Sequence, residues 1–334
     1  MRARTVSPAR FRRLAWWALA AQIGIVVTGA AVRLTGSGLG CTDWPGCSED
    51  RLVPEWGFHH WVEFGNRLLT FAVVGSALVA LVGAWYRRPR RAGLVALAGV
   101  LVGGVVAQAL IGAALVILEL DPRLTVLHFV TSMVLITAAV TLVHRSAGDG
   151  GLDRPSLVGT TATTRVPDVA RRLATATGVA AMVVVGTGTV VTGSGPHGGD
   201  ERADRFGFAL TSVTRLHAGA MWVFLGLLLA TWAVVGRGGA RGVRLRPNVV
   251  TLVALTAGQA VLGYVQYALG VPAGLVALHV FGSTLVWSAA VALVLSARAG
   301  DGAGDAAAPD DDDPARRLDA SRDRHRDPSQ PVLS

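Results

Sequence analysis

The chain has 334 residues, of which 51% are hydrophobic and only 16% charged, and its mean hydropathy is positive. That balance excludes a soluble globular domain, in which roughly a quarter of residues are charged. All 31 basic residues are arginine, which reflects the base composition of the coding sequence rather than chemistry, so the net charge of +9 is no argument for nucleic acid.

Apolar runs of roughly 20 residues, the length of a helix crossing a hydrocarbon core of about 30 Å, occur eight times. The expected fold class is all-α and integral to the membrane. The first run, Trp17 to Val32, follows basic residues as a signal peptide would. It lacks a small-residue cleavage site and seven more runs follow, so it reads as a retained helix. The connection after it contains "GCTDWPGC", with the chain's two cysteines, Cys41 and Cys47, and turn chemistry from Gly40, Pro45 and Gly46. Thiols facing an oxidising compartment favour a disulfide, read as a loop staple or, alternatively, a redox relay; a two-ligand metal site has no obvious companions.

The second run, Leu68 to Trp85, is entered through "WVEFGNRLLT". On a helix Glu63 and Asn66 project to nearby directions about one turn apart. Glu63 is either a solvated carboxylate favoured by a helix N-terminus or a carboxylate at a pocket edge that moves protons or orients a substrate. Runs three and four, Leu94 to Ile117 and Leu124 to Val143, bring His128; an arginine-bearing linker follows. Runs five to eight are Leu173 to Thr192, Ser212 to Val235, Val249 to Ala268 and Gly274 to Leu295, and they bring His217 and His279. The tail contains "DDDDP", cannot bury a core, and reads as disordered. The inner connections expected for a cytoplasmic N-terminus hold 18 arginines before the last helix and the outer ones five, which predicts both termini in the cytoplasm.

A shift of 151 residues superposes Gln108 on Gln259, Gly112 on Gly263, His128 on His279 and Ser132 on Ser283. "TGSG" recurs at Thr35 and Thr192 with an offset of 157. The chain therefore reads as two four-helix units in a parallel repeat, with matching positions at matching depths. The expected division is 1–13 N-tail, 14–144 first bundle, 145–171 linker, 172–296 second bundle and 297–334 tail. The 151-residue shift carries Asn66 onto His217.

His128, His217 and His279 lie a few residues inside even-numbered spans. Ionisable side chains there are costly and mark functional cavities, the alternative being neutral histidines hydrogen-bonded across helices. Two imidazoles from two helices at one depth suit the axial positions of a haem iron, whereas zinc or copper would need further ligands. Arg67 and Arg215 have two readings, charge-assisted bonds to haem propionates or snorkelling to the interface. His59 and His60 read as interfacial, while His144, His197 and His325 lie away from the common depth.

Together "VRLTGSGLGCTDWPGC", "EFGNR", "LHFVTSM", "RLHAGAMW" and "LHVFGST", in this order from about Leu14 to Leu295, resemble the haem A synthase family. The resemblance implies eight transmembrane helices in two pseudo-symmetric four-helix bundles in a bacterial cell membrane. It implies oxidation of the C8 methyl group of haem O to formyl, by two hydroxylations and loss of water. It also implies haem b held by His217 and His279, Glu63 as the essential acid, His128 as ligand in the substrate haem site, and Cys41 paired with Cys47. Asn66 and Arg67 would border the substrate haem. Expected functional partners are membrane lipid, haem O synthase (protohaem farnesyltransferase), cytochrome oxidase assembly and an unidentified electron donor, with self-association left open. The chain departs from the family at Asn66, where many members carry histidine. His128 alone would leave one axial position open, which suits oxygen chemistry; the other reading has Asn66 hydrogen-bonding a water or substrate. A rival function is a di-haem electron carrier without its own substrate chemistry. A transporter is a third reading, weakened because the polar groups cluster at one edge rather than the midplane.

Overall fold

The computed structural model describes residues 5–48, 50–147, 166–239, 242 and 244–299. Most of the expected linker and tail, residues 148–165 and 300–334, and residues 1–4 of the N-tail lie outside the described residues. Eight long helices follow in chain order: α1 Pro8–Leu34, α2 Phe58–Tyr86, α3 Ala92–Ile117, α4 Pro122–Ser146, α5 Asp168–Ser194, α6 Leu210–Arg237, α7 Arg246–Ala268 and α8 Ala273–Arg298. Each is long and apolar enough to cross a membrane. At 23 residues the shortest spans about 35 Å by helical rise, so every backbone group can be satisfied within its own helix across the hydrocarbon layer.

Several helices outrun their apolar runs because local capping extends them. The Ser7 side chain accepts from the Arg10 N–H and Pro8 occupies the first turn, starting α1 nine residues before the apolar run. The Asp121 carboxylate accepts from the Arg123 N–H at 2.7 Å, and Pro122 opens α4 in the same way. Helix α2 begins at Phe58, ten residues ahead of its apolar run, so Glu63, Asn66 and Arg67 lie within the helix rather than at its mouth.

Contacts arrange the helices as two closed rings. In the first, α1 packs on α2, α2 on α3, α3 on α4 and α4 on α1; in the second, α5 to α8 repeat the pattern. The rings meet through α4 against α8, with α1 against α8 and α4 against α5 as a matched pair on either side. That is the contact pattern of an approximate two-fold axis along the helices. Small residues permit the close approach: an added Cβ on Gly104 of α3 would lie 2.1 Å from Leu135 of α4.

Because α4 touches α1, α3, α5 and α8, it is the most enclosed helix, buried at Leu135, Ile136 and from Ala138 to Val143. The central α4/α8 pair is tied by Trp287, whose indole N–H is shared between the Met133 carbonyl (2.9 Å) and Thr137 Oγ1 (3.0 Å). Near the end where α1 begins and α8 ends, Asn248 donates to Ser296 Oγ at 2.8 Å, and Ser296 lies 3.4 Å from His144 Nε2.

Candidate functional site

The polar groups of both rings gather at the opposite end, where residues 35–57 and 195–209 connect the helices. The residue types of "GCTDWPGC" make a tight turn, closed by the Cys41–Cys47 disulfide with Cα atoms 4.3 Å apart. The Thr42 N–H donates to the Cys47 carbonyl at 3.0 Å and the Cys47 N–H to the Arg51 carbonyl at 3.0 Å. The loop lies directly on the start of α2. A Cβ at Gly40 would sit 2.4 Å from the His59 carbonyl oxygen, so only glycine fits there.

Glu63, 5% exposed, reaches up into this loop. Its Oε2 accepts from the Cys41 backbone N–H at 2.6 Å, and its Oε1 accepts from Arg67 at 2.5 Å. Arg67 also donates to the Asp43 carbonyl (2.8 Å) and the Gly46 carbonyl (2.6 Å). The solvated reading of Glu63 is therefore incorrect, because burial next to the loop removes it from water. The protein partners of Arg67 are a carboxylate and two loop carbonyls. Arg215, by contrast, is exposed. Substituting Gly40 by alanine should displace the loop from α2, at a cost on the order of 1–3 kcal/mol for overpacking. The check is faster reduction of the disulfide by graded dithiothreitol, read by thiol labelling; unchanged reduction would mean that the loop is not seated on His59.

The second ring places His217 of α6 and His279 of α8 on diagonally opposite helices, seven and six residues from their helix starts and so about 9–11 Å deep by helical rise. Their ring centroids are 6.5 Å apart with planes inclined by 74°. A metal atom between two imidazole nitrogens, with bonds of about 2.0 Å each, requires a centroid separation close to that value. Among the described residues no group of three or more His, Cys, Asp or Glu gathers that could hold a metal ion by itself. The donor set is thus an imidazole pair, which fits a haem iron, the macrocycle supplying the other ligands.

Each ring is held from its neighbours. Thr187 Oγ1 of α5 lies 3.1 Å from His217 Nδ1, and Gln259 of α7 donates to the His279 backbone carbonyl at 2.8 Å. A Cβ on Gly188 would fall 3.2 Å from His217 Cε1, and one on Gly263 would fall 3.3 Å from His279 Cε1. The glycines open the room in which the rings lie.

The first ring repeats this frame. Gln108 of α3 donates to the His128 carbonyl at 3.0 Å and to Ser132 Oγ at 2.5 Å, and Gly112 faces the His128 ring. His128 Nδ1 and His279 Nδ1 are both buried without a hydrogen-bond partner, as are Gln108 Oε1 and Gln259 Oε1. Unpaired buried donors and acceptors at the same places in two repeats mark sites shaped for something beyond packing. Asn66 lies on α2, the helix diagonal to α4 in the ring, and its Oδ1 accepts from Thr28 Oγ1 of α1 at 2.8 Å.

The repeat had already paired Gln108 with Gln259, but their role as props of the histidine helices depends on which helix stands next to which. Thr28 and Thr187 carried no motif signal, and Arg33 stood in the "VRLTGSGLGCTDWPGC" stretch with no role assigned. Arg33 joins the two rings, its guanidinium donating to the His197 carbonyl (2.6 Å) and the Thr192 carbonyl (2.9 Å).

Comparison with known proteins follows the same residues. The profile of the family described as cytochrome oxidase assembly protein matches residues 12–57 and 55–196. A protein named heme A synthase from Lysinibacillus sphaericus (strain C3-41) is 36% identical over 135 residues, 39% of this chain and 44% of that protein. One of the same name from Geobacillus thermodenitrificans is 36% identical over 106 residues, 31% of this chain and 32% of its own. A third, from Alkalihalophilus pseudofirmus, is 27% identical over 145 residues, 42% and 48% of the two chains. The chain thus spans less than half the length of each of these curated relatives. With the family profile covering more than half of its residues, this chain is a multi-pass bacterial membrane protein that belongs to the cytochrome oxidase assembly protein family.

Proposed function

We propose that the chain is a haem A synthase that oxidises the C8 methyl group of haem O to a formyl group. Two C–H bonds are replaced in turn by C–OH, and the resulting geminal diol loses water; the oxidising equivalents come from outside the chain. The observation that carries the proposal is the buried Glu63 carboxylate, bound to the disulfide loop at the same end of the helices as His128. The names of the relatives support it.

In this reading haem O enters the first ring, with His128 as its protein ligand. Glu63 is the proton-handling group at the loop end, and Arg67 orients it through their 2.5 Å bond. The disulfide loop covers the pocket and excludes water, which strengthens the electrostatics inside. His217 and His279 would hold haem b, which supplies one-electron transfer when bound. Gln259 and Thr187 keep those two rings in place. Both termini lie in the cytoplasm, as the arginine distribution favours. Haem O synthase is the expected source of substrate, and the electron donor is a separate partner.

Expression with a haem O synthase in a host that makes no haem A, followed by mass analysis of extracted haems, tests the proposal. Haem A or its hydroxylated precursor is the expected product. Bound haem with haem O unchanged would favour the electron carrier instead.

A further inference from the structure

The two rings are built on one frame, yet they differ at one corner in a concerted way. In the second ring His217 lies over Gly188 and against Thr187. The offset of 157 that aligns the two "TGSG" segments puts Ala30 where Thr187 stands and Ala31 where Gly188 stands. The first ring therefore carries at Ala31 the Cβ that at position 188 would press to 3.2 Å from an imidazole carbon. It also lacks the hydroxyl that meets His217 Nδ1. In exchange it has Thr28, just under one turn earlier on α1, bonded to the shorter Asn66 side chain. Three positions on α1 and one on α2 have changed together, so the corner is fitted to asparagine rather than being a histidine pocket with its histidine removed.

Asparagine there cannot stand in for the imidazole. The carboxamide ends one bond short of an imidazole Nε2, and its nitrogen lone pair is delocalised and donates hydrogen bonds only. Its Oδ1, a poor ligand for haem iron, accepts from Thr28 Oγ1 at 2.8 Å, which fixes the orientation of the carboxamide. Across the ring, His128 keeps every support that His279 has: a glutamine on its carbonyl, a glycine against its ring and a buried Nδ1.

We propose that the first ring is a one-histidine haem pocket. His128 is the only protein ligand, and Asn66, fixed by Thr28, keeps the opposite face open to a small exogenous ligand of the carbon monoxide or cyanide class. The two rings thus divide the work, one saturated at both axial positions and one open. This rests on the haem-binding part of the proposed function.

Optical and electron paramagnetic resonance spectra of the purified full-length holoprotein test it, with carbon monoxide added to the reduced form and cyanide to the oxidised form. The expected result is one low-spin haem insensitive to carbon monoxide and one high-spin haem that binds it, so that roughly half of the bound haem responds. Asn66→His, combined with Ala31→Gly to make room for the ring, should convert the responding haem to low spin and abolish carbon monoxide binding. The His217/His279 signal stays as an internal control of folding. His128→Ala should remove the carbon monoxide-binding haem selectively. Two haems that are both low spin and unresponsive in the unaltered chain would overturn the proposal, as would a carbon monoxide complex that survives His128→Ala. Carbon monoxide binding without any haem A product would leave this inference standing and sink the synthase; a chain that purifies without haem overturns both.

Discussion

Replacing Glu63 by glutamine is expected to cut haem A formation by at least ~100-fold, the low end of what a positioned proton-transfer group contributes, while the bound haem remains. Glutamine keeps an acceptor for the Cys41 N–H, which Glu63 now serves at 2.6 Å, and so preserves the seat of the disulfide loop. Glu63→Ala should do more. It leaves the partly buried Arg67 with only the Asp43 and Gly46 carbonyls as acceptors, a loss smaller than the roughly 3–5 kcal/mol of breaking a fully buried ion pair from one side. The comparison separates two roles that the geometry superposes on one residue. If Glu63→Gln retains full conversion while Glu63→Ala loses the loop, the carboxylate is a clamp and not the proton-handling group. The readouts are the mass of extracted haems and the resistance of the disulfide to reduction.

The second large effect concerns His217 and His279. Alanine at either position should abolish the low-spin bis-histidine spectrum, because among the described residues no third His, Cys, Asp or Glu gathers with the pair to substitute. About half of the bound haem should be lost or become high spin, and a carbon monoxide-binding haem at His128 should persist. A low-spin spectrum that survives both changes would place the second haem elsewhere. Gln259→Leu makes a milder comparison. It removes the 2.8 Å bond to the His279 carbonyl without touching the ring, so it should shift the reduction potential of the low-spin haem and leave the haem content intact.

Much of this architecture was legible in the residues. Spans could be counted because a lipid-crossing segment must satisfy its own backbone and present apolar side chains on most faces, which leaves a long, unambiguous run. Their starts were less legible: α1 and α2 begin nine and ten residues before the apolar runs, where Ser7 and Pro8 or an interfacial aromatic stretch extend the helix beyond the hydrocarbon layer. His128 and His279 were visible because a repeat displays the same residue twice at the same depth, and His217 because an ionisable side chain within an apolar span stands out. Thr28 and Thr187 were not, since a threonine near a helix end is common, and its meaning lies in the helix it faces. Glu63 shows the difference most clearly. A carboxylate near a helix N-terminus admitted both solvation and a pocket edge, and only the return of the loop from Gly40 to Gly46 over α2 buries it.

By itself, then, the sequence determined eight apolar helices, their division into two repeated units, the common depth of His128, His217 and His279, and the asymmetry at Asn66. These are properties of spacing and composition, which the membrane and the helical period translate into structure residue by residue. Only the tertiary structure decided that His217 faces His279 across a ring, that Arg67 reaches the Asp43 and Gly46 carbonyls of the loop, and that Thr28 donates to Asn66 Oδ1. Each of those depends on a contact between helices or loops far apart in the chain, and such a contact is set by packing of whole helix faces, which no local pattern encodes.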